Sequence, residues 1–85
     1  MDGRFQQEII KAVQEIIPIL SPGLILELSN TGAEDLSKFH FGLGLYIRNN
    51  ILTTDSDIYK IFTENGIIDK DDMSAILIQE VQRRL

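Results

Sequence analysis

The chain has no cysteine and a single histidine among its 85 residues. Disulfides and thiolate metal sites are therefore excluded, and a reducing cytoplasm is permitted. One histidine without cysteine is also a poor basis for a zinc site. No apolar run approaches the ~18–20 residues that a membrane-spanning helix needs. Basic charge is scarce: eight lysines and arginines face 13 acids, for a net charge of −5. The basic residues are scattered apart from Arg83-Arg84, which argues against direct nucleic-acid binding. The start, "MDGRFQQEIIKAVQ", carries acids and glutamines where a signal peptide needs a basic start and an unbroken apolar stretch. A soluble cytoplasmic protein without membrane association is expected.

Chemistry-bearing motifs are also missing. "FGLGLY" holds only G-x-G and lacks the strand–turn–helix setting of a dinucleotide-binding loop. "DKDD", Asp69 to Asp72, lacks the spaced ligands and central glycine of a calcium loop. No serine or threonine sits in a nucleophile elbow. No cofactor, no metal and no enzymatic activity are expected.

What remains is an ordinary globular balance, 44% apolar and 25% charged, in a chain short enough for one domain, residues 1–85. Phe5, Ile9, Ala12, Val13, Ile16 and Leu20 recur at helical spacing, and Pro18 should end that helix. Ser21-Pro22 reads as a cap and first helical position for a short helix to Ser29, with a strand over "LILEL" the weaker alternative. Thr31 and Glu34 form a capping-box pattern for a third helix running to about Asn49. Thr54 or Asp55 should cap a fourth, with Ile58, Ile61 and Phe62 inward and Gly66 as its stop. The last begins after Asp69, with Asp71 and Asp72 in its first turn and Arg83 and Arg84 at its end, as the helix dipole favours. Met73, Ile76, Leu77, Val81 and Leu85 make its apolar stripe. The sum is an all-α bundle of about five helices, three long and two short.

The segment "FHFGLGLYIRNN", Phe39 to Asn50, is the densest in unusual residues. On a regular helix His40, Gly44 and Arg48 follow at four-residue steps along one ridge. Glycine inside a helix costs about 1 kcal/mol relative to alanine, so Gly42 and Gly44 need a reason. Close approach of another helix is one, a groove beside Arg48 that admits a ligand or side chain is a second, and a break in the helix at Gly42 is a third. Phe39, Phe41, Leu43, Leu45, Tyr46 and Ile47 suggest a helix buried on most sides. Arg48 would then be partly buried and paired, with Asp71 or Asp72 the best partners. Asn49 and Asn50 read as a helix terminus, since asparagine tolerates left-handed geometry.

The pattern His-x-Gly-Leu-Gly-x-x-Ile-Arg-Asn-Asn, followed by Gly66-Ile67 and by Asp71-Asp72-Met73-Ser74, resembles a family of small bacterial proteins without an established activity. The resemblance runs from Phe39 to Ile78. Lys70 stands where that family often has proline, and no tryptophan follows Asn50. The resemblance implies a bacterial or phage origin and a small helical domain, and it implies no reaction.

Two functions fit these residues, beside a purely structural or oligomerisation role. The first is a small acidic protein that binds another protein, in an immunity-, antitoxin-, regulatory- or inhibitor-like role. Its acidic surface would suit a basic partner. The second is a small-ligand binder or enzyme using His40 as base, Arg48 as anion clamp and Asp72 to orient one of them. A chain this short would need a homo-oligomer to make a deep pocket. The residues to locate are His40, Gly42, Gly44, Arg48, Asn49, Asn50, Asp71, Asp72 and Ser74.

Overall fold

The computed structural model describes residues 3–85, and every regular element among them is helical. The fold is all-α. Its Cα radius of gyration, 12.2 Å, matches the ~12 Å expected for a compact chain of this length.

α1 spans Gly3–Ile16 and buries Phe5, Ile9, Ala12, Val13 and Ile16, the stripe read from the sequence. A 3-10 turn, Ile17–Ile19, follows, with Pro18 inside it. α2, Pro22–Ser29, starts on the Ser21 side chain, which accepts a hydrogen bond from the Leu24 N–H at 3.1 Å. Pro22 takes the first helical position, where its missing N–H is no loss.

A central helical segment comes next, and its winding changes along its length. Ala33–Phe39 is 3-10, His40–Gly44 is π, residues 45–46 make a short α turn, and Ile47–Ile51 is π again. Its buried apolar residues are Leu36, Phe39, Leu43, Ile47 and Leu52. Their steps are three, four, four and five residues, so the pitch widens as the apolar spacing does. The Leu52 N–H donates to the Ile47 carbonyl at 2.9 Å, closing the final five-residue turn.

The capping box at Thr31 does not form. Gly32 takes the cap position without a side-chain bond, and the Thr31 hydroxyl instead donates to the Glu27 carbonyl at 2.6 Å, closing the end of α2. Neither Asn49 nor Asn50 adopts left-handed geometry, since no described residue except Gly66 has positive φ. Both lie within the second π turn, where the Asn50 amide donates to the Tyr46 carbonyl at 3.1 Å.

α3, Asp57–Glu64, is capped by Ser56 rather than by Thr54 or Asp55; its side chain accepts from the Tyr59 N–H at 3.2 Å. Gly66, at φ +85°, ends it in a left-handed turn that only glycine enters freely. The Ile67 and Gly66 N–H groups donate back to the Phe62 and Thr63 carbonyls, a paired closure that leaves Ile67 packed on the core. α4, Lys70–Arg83, begins at Asp69, whose carboxylate accepts from the Asp71 N–H at 2.9 Å.

α1 packs against α3 and α4, and α4 also runs along the whole central segment. Met73, Leu77, Ile78 and Val81 of α4 therefore join both halves of one core, around fully buried Phe62, Ile16, Ile47 and Leu52. Phe5 meets Phe62 edge-on with ring centroids 5.6 Å apart. Leu85, read as the end of the α4 stripe, lies past the helix and is exposed. No helix among the described residues is long and apolar enough to cross a membrane.

Candidate functional site

The central segment and α4 meet at a polar cluster built around Arg48. Its guanidinium turns back along its own helix toward the N-terminal end. Nη1 lies 3.3 Å from His40 Nδ1 and donates to Ser74 Oγ at 3.2 Å, while Nε lies 3.5 Å from Asp71 Oδ1. Ser74, buried in α4, donates its own hydroxyl hydrogen bond to the Asp71 carbonyl at 3.0 Å. Four residues of the recognised pattern, His40, Arg48, Asp71 and Ser74, are thus brought together from two elements.

Gly44 makes this possible. A Cβ there would sit 3.0 Å from Arg48 Nη1, 3.3 Å from the Phe39 carbonyl and 3.7 Å from Ile78 Cδ1. The glycine is the gap across which the arginine lies, and it admits α4 as well. Gly42 has no such role, because nothing stands within 4 Å of the corresponding position. Asp72 is likewise outside the cluster. It follows Asp71 by ~100° around the helix, and so lines a different groove beside Ile68. The ion pair is also more open than a buried staple: the Arg48 side chain is 12% exposed and that of Asp71 61%.

His40 and Ser74 reach the wall of a groove of about 460 Å³ between the central segment and α4. Ala33, Leu36, Ala75 and Ile78 give it apolar lining, and Phe41 stands at its side. A second groove of similar volume, about 460 Å³, lies across α4 and is lined by Ile67, Ile68, Asp72 and Ile76. Ala75 and Gln79 belong to both. Phe41 is 81% exposed and Ile68 76%, the most exposed large apolar side chains among the described residues.

The expectation of a central helix buried on most sides is therefore corrected. Phe39, Leu43 and Ile47 are buried, but Phe41, Leu45 and Tyr46 are exposed. Phe41 and Leu45 stand on the side of the segment away from the buried Leu36–Leu43–Ile47 stripe. That surplus of apolar residues on the outer face was the available signal for a surface site. Ile68, Ala75 and Gln79 carried no comparable signal.

The cluster does not resemble a nucleophilic centre. The Ser74 hydroxyl donates to a backbone carbonyl, and His40 Nδ1 is directed at an arginine rather than at a hydroxyl. Among the described residues no three histidine, cysteine or acidic side chains are grouped to hold a metal ion. A family model, "Domain of unknown function (DUF6794)", matches residues 7–85. No curated protein and no solved structure matches the chain.

Proposed function

The chain belongs to the DUF6794 family, and we propose that it works by binding another protein through the face that joins its two grooves. The observation that carries this reading is the placement of Phe41 and Ile68. The two most exposed large apolar side chains among the described residues flank two grooves that share Ala75 and Gln79. Exposed aromatic and aliphatic anchors beside apolar pockets are the usual anatomy of a protein interface.

Charge selects the occupant. The one charged residue lining the first groove is Glu34, and the one lining the second is Asp72. The whole chain carries −5. The partner is therefore an apolar segment flanked by lysine or arginine, whose approach the acidic rim would speed. A second copy of this chain would set like charges against each other and is disfavoured. A regulatory, inhibitor-, immunity- or antitoxin-like role in a bacterial cytoplasm suits such a surface. The alternative of a small-ligand binder or enzyme using His40, Arg48 and Asp72 has less support, since Asp72 stands apart from the other two.

The test is to pan a random peptide library displayed on phage against the wild type, counter-selecting on Phe41→Ser/Ile68→Ser. Enrichment of apolar sequences with lysine or arginine, lost on the double variant, is the expected result. No enrichment, or acidic sequences, would overturn the reading. So would sedimentation showing a dimer that Phe41→Ser disrupts.

A further inference from the structure

Resting on the partner-binding reading, we infer that His40 is a specificity-determining donor of the first groove, presenting Nε2–H to a neutral carbonyl of the bound segment. The argument begins with Arg48, whose guanidinium has donors and no acceptor. Nη1 carries two hydrogens, and it has two acceptors within reach, Ser74 Oγ at 3.2 Å and His40 Nδ1 at 3.3 Å. Nδ1 must therefore accept, which leaves the ring proton on Nε2.

That proton has no acceptor among the described residues, yet no buried side-chain nitrogen or oxygen is left without a partner. Nε2 accordingly lies at accessible surface. His40 lines the groove whereas Arg48 does not. One ring nitrogen is thus committed to the cluster, and the other is left as the free donor of a residue that lines a largely apolar groove. Ser74 adds no second donor there, because its hydroxyl proton is directed at the Asp71 carbonyl.

The nature of the acceptor follows from charge. The first groove is lined by one acid, Glu34, and by no cation, and the nearby arginine is paired with Asp71. A carboxylate placed against His40 would meet Glu34 with nothing in the lining to offset it. A backbone or amide carbonyl meets the donor without that repulsion. The bound segment is thus an apolar side chain seated by Leu36 and Ile78, a carbonyl at His40, and a lysine or arginine toward Glu34.

Two measurements test this. Nitrogen NMR of the imidazole in the free wild type should show Nε2 protonated and Nδ1 bare, with the preference weakened in Arg48→Met. A proton resident on Nδ1 would overturn the inference. In binding, His40→Gln keeps an N–H near the Nε2 position and His40→Phe removes it. For the peptides enriched above, His40→Phe should weaken binding roughly tenfold, the value of one hydrogen bond, while His40→Gln stays close to wild type. Peptides that need Phe41 but ignore His40→Phe would remove the donor role and leave the docking reading standing. If panning enriches nothing, both fall together.

Discussion

The Nη1 atom of Arg48 lies 3.3 Å from Nδ1 of His40, eight residues earlier in the chain, and reaches it across the bare backbone of Gly44. Both residues sit in π-wound turns, the kind of local departure from α geometry that recurs at functional sites. The winding and the glycine together let one side chain fold back along its own helix.

Alanine at the two glycines should separate these effects. Gly42→Ala meets open space, so it should stabilise the fold by about 0.5–1 kcal/mol through helix propensity and a less free unfolded chain. Gly44→Ala places a methyl against Arg48 Nη1 and the Phe39 carbonyl, and the carbonyl is backbone that cannot step aside. It should destabilise by about 1 kcal/mol. Urea denaturation of the pair should give changes of opposite sign.

Arg48→Met should destabilise the protein by roughly 1–3 kcal/mol, below the ~3–5 kcal/mol of a fully buried pair. The reason is the exposure of Asp71, which water solvates once the arginine is gone. The residual cost comes from His40 Nδ1 and Ser74 Oγ, which lose their shared donor. Asp71→Asn should cost less, under about 1 kcal/mol, as for other exposed pairs. Equal losses for the two variants in the same urea titration would contradict this ordering.

Gln82 holds the far end of the molecule. Its side-chain amide donates from α4 to the Leu28 and Thr31 carbonyls, at 3.0 and 2.6 Å, closing the end of α2. Gln82→Met keeps the volume and strips both bonds, so a loss of about 1–2 kcal/mol is expected. Amide hydrogen exchange should accelerate first in α2. A uniform change across the fold would argue against a local closure.

Much of this architecture is written in local signals. Ser21 before Pro22, Asp69 before paired acids, and Gly66 after an apolar stripe each have one physical reading, and each forms as read. "TTDSD" is different: all five of its residues are competent caps, and the packing of Ile58 and Phe62 selects Ser56 among them. The third helix hid its winding for a related reason. Steps of three, four, four and five between Leu36 and Leu52 are each unremarkable beside the many other apolar residues of this segment, so the change of pitch is visible only once the buried residues are known. The Arg48–Asp71 pairing was legible because a low-exposure guanidinium needs a partner and the start of α4 concentrates acids. The choice of Asp71 over Asp72 depends on the rotation of α4, which a tertiary contact decides.

The exposed anchors yield the last prediction, which separates surface from core. Phe62 is fully buried and meets Phe5 edge-on, so Phe62→Ala should cost about 3–5 kcal/mol. Phe41 and Ile68 keep most of their surface in water already, and their replacement by serine removes little packing. Each should shift stability by no more than about 0.5 kcal/mol in urea titrations. Under the proposed function, Phe41 and Ile68 serve the bound partner rather than the fold. If Phe41→Ser instead unfolded the protein as readily as Phe62→Ala, Phe41 would belong to the core, and the docking face would lose its principal anchor.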